Sequence, residues 1–402
     1  MSTGQLYHTQ GIKDFHHVSH SYFGKHLIWT IKRNSEKFKC NTCMSSEVTA
    51  TPIGGRKVTG LPMGKLKTSF TVIVHRLKCH NCGAYRMEKL DFLPNQKSHF
   101  TKAVARSAVE LRNEMTIKAV SEHLDLHWNT VKEIEKVYLK KKYARIDLCE
   151  VTAIGIDEVH IGRKGFLTIV RDLTTGAVLF IGDGKSGESL APFAKRLNSF
   201  ACQISTVAVD LANSFTAWVK ETLPKATIVY DRFHVVKLMN EKLNVVRRKT
   251  MNKLEEDEKK ILKGKRFTLL KNREDLTESA ENDLKEIRQT YSDLGEMSLM
   301  KECLRNIYAI AEWEEEARTG FVRWCTLAEE TGIAELKTMA KTVRTKFDGI
   351  VAFWKNKITS ASMEGFNNKI GWLNRQAYGY RDLEYFKFKI FDLPKMKIVK
   401  SL

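Results

Sequence analysis

Three acidic residues at the ends of apolar or helical stretches offer the most chemistry in this 402-residue chain. Asp157 follows Ile154-Gly155-Ile156, Asp210 closes Ile204–Val209, and Glu364 lies in Met363-Glu364-Gly365-Phe366-Asn367-Asn368. Breaking a phosphodiester needs an activated water or 3′-hydroxyl and relief of charge on the leaving oxygen. Two divalent ions about 4 Å apart serve both ends of such an in-line displacement. Mg²⁺ prefers hard oxygen ligands, which Asp and Glu provide, and Mn²⁺ can replace it. Asp157 is expected to bridge the two ions, with Asp210 on one side and Glu364 on the other. Glu158 adjoins Asp157, but successive strand residues point to opposite faces, so it is expected not to ligate. One Asp at a strand end is ordinarily a turn or cap residue; three in this order point to a site. Asp231, in Asp231-Arg232-Phe233-His234, ends a further strand. Either it or His234 would contact substrate, support the metal shell, or form an ion pair inside the fold.

Cys40-Asn41-Thr42-Cys43 and Cys79-His80-Asn81-Cys82 make a second constellation. Two residues between cysteines let both thiolates of a tight turn face one ion, and two such turns complete a tetrahedron. One structural Zn²⁺ on Cys40, Cys43, Cys79 and Cys82 is the expectation, in a zinc ribbon with a strand over Thr68–Leu77. His75 and His80 carry little weight as substitutes. Cys149, Cys202, Cys303 and Cys325 lack partners at ligand spacing and read as small core residues. His8, His16, His17, His20 and His26 are assigned no chemistry and are expected to pack a short helix and strand.

The elements that must position these groups can be read in order. Thr101 caps a helix to about Arg112, and Thr116 precedes Ile117, Val120 and Leu124 on one helical face. Asp125-Leu126-His127 makes a turn in which Asp125 tolerates the left-handed conformation. Trp128 opens a third helix with Val131, Ile134 and Val137 facing inward. This is helix-turn-helix spacing. Trp128, Asn129 and Lys132 would reach a DNA groove, with Lys140 and Lys141 near phosphates. A plain three-helix bundle would show the same apolar pattern.

From Val151 the period shifts to that of strands: Val151–Ile161, Phe166–Asp172, Ala177–Ile181, a helix Glu188–Leu197, then Ile204–Val209, a helix Asn213–Leu223, and Ala226–Tyr230. Three meandering strands, helix, strand, helix, strand is the RNase H-like order. The loop Gly182–Gly187 resembles a phosphate loop, but Leu179 stands where its first glycine belongs, so nucleotide binding is rejected. His234–Trp354 is charged, helically periodic and free of proline, and reads as a helical insertion. Trp313 and Trp324 within it would stack on an unpaired base or fill a core. Ser360 is expected to cap a helix whose Met363, Phe366, Ile370 and Leu373 pack inward, with Gly365 allowing close approach.

The fold class expected is multidomain α+β: an N-terminal zinc ribbon, a helix-turn-helix, and an RNase H-like α/β catalytic domain interrupted by a helical insertion. The boundaries are 1–99 for the ribbon region, 100–148 for the helix-turn-helix, and 149–234 for the first part of the core. The insertion spans 235–355, and the core's second part with a basic tail spans 356–402. A formal net charge of +20 favours a polyanionic partner, since basic side chains near phosphates release condensed counterions. No apolar run is long enough to span a membrane, and the N-terminus lacks a signal peptide's apolar core. A cytoplasmic, nucleoid-associated protein is expected.

These parts, in this order, resemble the ISL-three family of bacterial insertion-sequence transposases from about Lys37 to Pro394. The resemblance rests on the paired Cys-x-x-Cys ribbon, the helix-turn-helix, Gly155-Ile156-Asp157-Glu158, Val209-Asp210 and Asp231-Arg232-Phe233-His234. Glu364-Gly365-Phe366-Asn367-Asn368-Lys369-Ile370 and Tyr378-Gly379-Tyr380-Arg381 complete it. It implies a DDE transposase that binds the terminal inverted repeats of its element, nicks the ends, and joins 3′-hydroxyls to target DNA. The implied triad is Asp157, Asp210 and Glu364, and synapsis of two double-stranded ends implies a homodimer. A catalytically silent DNA-binding regulator and an RNase H-like nuclease without strand transfer are the competing readings.

Overall fold

The computed structural model describes residues 3–199, 204–211, 213–255, 259, 262–356 and 361–395. They form two compact units, 3–145 and 146–394.

The first unit opens with α1 (Thr3–Gln10) and the hairpin β1 (Phe15–Phe23) and β2 (His26–Arg33). β3 (Val48–Thr59), β4 (Lys67–Cys79) and β5 (Tyr85–Met87) follow, and the sheet order is β1-β2-β4-β3 with β5 also on β4. β4 contains the expected strand Thr68–Leu77. It lies between two neighbours and buries Phe70, Val72, Val74 and Leu77. Glu88, just after β5, is buried but compensated: Arg33 Nε donates to it at 2.7 Å and His75 Nδ1 lies 2.9 Å away. His75 is therefore committed to a carboxylate.

Three helices complete the unit: α2 (Lys102–Leu111), α3 (Ile117–Leu124) and α4 (Trp128–Lys142). Thr101 caps the first through its hydroxyl, as expected, Thr116 caps the second in the same way, and Asp125 takes the left-handed conformation at φ 53°. Its carboxylate accepts from Lys67 Nζ at 2.7 Å. Val104, Ala108, Val120, Leu124 and Val131 form the core. Val137, expected inside, is 53% exposed. The inward stripe of α4 instead runs Val131, Glu135, Leu139, and buried Glu135 is held by Arg112 Nε at 2.7 Å.

In the second unit β6 (Ala153–His160), β7 (Phe166–Asp172) and β8 (Val178–Asp183) form an antiparallel meander. A 3₁₀ turn (Gly187–Leu190) leads into α5 (Ala191–Ser199), so the helix expected from Glu188 is in two pieces. β9 (Thr206–Val209), α6 (Asn213–Thr222) and β10 (Thr227–Tyr230) follow. The order is β10-β9-β6-β7-β8, with β9 parallel to both neighbours. Ile154, Ile156, Val207 and Val209 supply its apolar centre.

Next come α7 (Arg232–Lys253), α8 (Arg266–Leu270), α9 (Glu278–Thr290), α10 (Ser292–Ile310), α11 (Glu314–Glu330), α12 (Ala334–Thr345) and α13 (Phe347–Asn356). Their apolar faces are continuous with the sheet's core, through Val235, Met239, Leu304, Phe321 and Trp354 among others. Trp324 is buried and donates Nε1–H to Met300 O at 2.8 Å, whereas Trp313 is exposed. Gly349 sets α13 against β10, because an added Cβ would lie 2.6 Å from the Tyr230 ring. α14 (Ala361–Gln376) and α15 (Leu383–Asp392) finish the unit. The Ser360 cap and Cys202 lie outside the described residues. Of the other lone cysteines, Cys325 is buried and Cys303 half-buried, but Cys149, in the irregular chain ahead of β6, is exposed.

Candidate catalytic site and cysteine cluster

The sheet lines up aspartates by register. Ile156 of β6 pairs with Val209 of β9, and Val209 pairs with Tyr230 of β10. The next residues, Asp157, Asp210 and Asp231, therefore leave three adjacent strands at one level, each strand about 4.8 Å from its neighbour.

Asp157 is half-buried, and each of its oxygens has a donor. The Glu158 backbone N–H reaches Oδ1 at 2.8 Å, and Asn367 Nδ2 reaches Oδ2 at 2.7 Å. Burial raises its carboxyl above the ordinary Asp range, and Asp210 adds to this; the two donors and His234 pull the other way. Glu158 is raised too, first by burial, then by Asp210 and Asp157. Period-two alternation holds along β6, yet Glu158 is within the field of both aspartates, which sequence spacing did not show.

Asp231 is buried and caps α7, accepting from Phe233 N at 3.2 Å. His234 Nδ1 stands 3.6 Å from Asp231 Oδ2, ion-pair spacing and too long for a hydrogen bond. Burial opposes protonation of His234, but Asp231, Asp157 and Asp210 outweigh it and raise its pKa. The expected alternative of an internal ion pair is thus present.

α14 carries Glu364 and is docked by the stripe Met363, Phe366, Ile370 and Leu373, all buried. The Arg171 guanidinium lies 4.1 Å from the centre of the Phe366 ring. Close approach happens at Gly155 and not at Gly365. A Cβ on Gly155 would meet Leu173 at 2.8 Å and Met363 at 3.0 Å, whereas Gly365 has open space around it. Glu364 is exposed, one turn before Asn367. Among the described residues no three Asp, Glu or His side chains have ligand atoms within 4.8 Å of one another. The structure thus gathers Asp157, Glu158, Asp210, Asp231 and His234 at one edge and ties α14 to it through Asn367, without closing Glu364 onto the aspartates.

The cysteines do meet that spacing. Cys40, Cys43, Cys79 and Cys82 place their sulfurs within 4.8 Å of one another, a set compatible with one zinc ion. Backbone N–H groups of Cys43 and Thr42 lower the pKa of the Cys40 thiol, while the neighbouring Cys43 thiol, burial and the Cys40 thiol raise that of Cys82. On α4, Trp128, Asn129, Lys140 and Lys141 are exposed, while Lys132 is partly covered and 3.2 Å from Glu133.

A transposase family model, that of the ISL3 group of DDE transposases, matches residues 154–390. The transposase of insertion sequence element IS1001 from Bordetella parapertussis is 32% identical over 377 residues, 91% of each chain. The chain belongs to the ISL3 transposase family. The transposase of insertion sequence element IS1557 from Mycobacterium tuberculosis is 29% identical over 65% of each chain. Among solved structures, the Drosophila P element transposase strand transfer complex covers 74% of this chain and 92% of its own. The TM-score is 0.39 at 10% identity. Membership accounts for the resemblance read in the motifs. Asn367, Glu158 and Gly155 were not singled out for these contacts in the sequence. The available signals were a glycine inside a strand, which marks close approach, and an amide one turn after Glu364.

Proposed function

We propose that this ISL3 transposase is a DDE enzyme whose carboxylates Asp157, Asp210 and Glu364 hold two Mg²⁺ ions, with Mn²⁺ as a substitute. The observation that carries this reading is the register pairing that puts Asp157 and Asp210 side by side, with α14 bonded to Asp157 through Asn367. The residues fit the ions: hard carboxylate oxygens lie at one edge, and a buried amide oxygen of Asn367 has no partner among the described residues. Bound there, the ions would activate the attacking oxygen and neutralise the leaving one. The two donors to Asp157 offset part of the burial that raises its carboxyl. Glu364, exposed one turn before Asn367 on α14, is the third ligand of the proposed set. Asp231 fixes α7, and His234 stands where it can meet a phosphate oxygen.

The sheet order supports an RNase H-like core, and the run from α7 to α13 reads as its helical insertion. The capped helices α2–α4 support a helix-turn-helix that reads terminal inverted repeats with Trp128, Asn129 and Lys132 and grips phosphates with Lys140 and Lys141. Four cysteines at ligand spacing support one structural Zn²⁺ in a ribbon. The substrates are double-stranded element ends and target DNA, brought together by a homodimer in the cytoplasm at the nucleoid. No helix among the described residues is long and apolar enough to cross a membrane.

The test is incubation with element-end DNA, Mg²⁺ and a target plasmid. Wild type is expected to cut the ends and join them, and Asp157→Asn to bind ends without cutting. Cleavage by Asp157→Asn at the wild-type rate would contradict the triad. Binding without cleavage by wild type would favour a silent regulator, and cleavage without joining a nuclease.

A further inference from the structure

Asn367, three residues after Glu364 in the same motif, makes a contact with Asp157. Its Nδ2 donates to Asp157 Oδ2 at 2.7 Å, while its own Oδ1 is buried and has no hydrogen-bond partner among the described residues. The carboxylate dictates this orientation of the amide, since the reverse would bring two acceptors together. A buried amide oxygen without a donor is unfavourable unless an ion or ordered water meets it. The same helix is fixed in depth by Met363 against Gly155 and by Phe366 under Arg171. The amide therefore arrives at Asp157 on a rigid support.

We propose that Asn367 is a positioning residue for the metal site, resting on the reading of Asp157 as a ligand. Its N–H holds Asp157 in the orientation that presents the remaining carboxylate lone pairs to a divalent ion. Its free amide oxygen accepts from a water bound to that ion. The contact also links α14 to the aspartate edge, so the helix that carries Glu364 is registered on the site before the ions arrive. Partners of this kind, one step behind the ligands, orient the ligands and tune affinity.

The experiment uses full-length, zinc-supplied protein titrated with Mn²⁺, with unbound Mn²⁺ followed by electron paramagnetic resonance. Asn367→Ala and the near-isosteric Asn367→Leu are expected to weaken Mn²⁺ binding by about 10–100-fold. Their melting temperatures and end-DNA binding should stay at wild-type values, which separates positioning from a packing role. Gln376→Ala, on an exposed turn of the same helix, is expected to bind Mn²⁺ as wild type does. In cleavage assays the Asn367 variants should need correspondingly more Mg²⁺ and recover part of their rate at saturation. Wild-type Mn²⁺ affinity in both Asn367 variants, alongside loss of binding in Asp157→Asn, would overturn the role of Asn367 alone. Wild-type affinity in Asp157→Asn as well would overturn the metal reading beneath it.

Discussion

Gly155 and Met363 occupy space that only one of them can fill. A methyl on Gly155 would sit at 2.8–3.0 Å from Leu173 and Met363, so α14 or the Leu173 side chain would have to shift. Gly155→Ala is expected to lower stability by about 1–3 kcal/mol and to depress cleavage more than end binding. Calorimetry and a gel-shift assay measure the two effects, and an unchanged cleavage rate would show that α14 need not lie this close. Asp157 gives a pH prediction. Its folded carboxyl is raised by burial, so the native state holds its proton to higher pH than the unfolded chain does. The metal-free protein therefore carries a penalty that is full above the folded value and disappears as pH falls through it. Asp157→Asn should raise the melting temperature of metal-free protein at neutral pH, with an advantage that shrinks on acidification. A constant difference across that range would show that burial does not strain the carboxylate.

At the scale of elements, strands and caps were legible because they depend on local chemistry. Thr101, Thr116 and Asp125 act as their side chains dictate, and β7 has the predicted ends. The apolar stripe of α14 also came through, since four residues at helical spacing leave little choice of face. What spacing hid was tertiary. Val137 looked inward until Glu135 took its place with Arg112, and Gly365 drew attention that belonged to Gly155, on a strand more than 200 residues away in sequence. Glu158 was judged by strand alternation alone, yet a half-buried carboxylate at a sheet edge still feels its neighbours. Phe366→Ala tests the docking of α14 directly. Removing a buried ring that carries a guanidinium contact should cost about 3–5 kcal/mol and abolish cleavage while leaving end binding intact. Retained cleavage would mean that this helix is not part of the site.

For the whole molecule, the two compact units suggest separable duties, with cysteines and α2–α4 in one and the acids in the other. Chelation of zinc, or Cys79→Ser, is expected to weaken end-DNA binding while a second, metal-independent unfolding transition persists. A single transition lost altogether on chelation would show that the cysteine cluster supports both units. The high positive charge predicts binding that falls steeply as salt rises, with Lys140→Ala and Lys141→Ala each reducing that slope by about one.

The central claim is that Asp157, Asp210 and Glu364 share divalent ions. Its most direct test replaces Mg²⁺ with Fe²⁺ in the end-DNA complex and maps where hydroxyl radicals made at the bound iron cut the backbone. The account predicts cuts clustered near residues 157, 210 and 364, suppressed by excess Mg²⁺ and absent in Asp157→Asn. Cuts near 157 and 210 with none near 364 would contradict it.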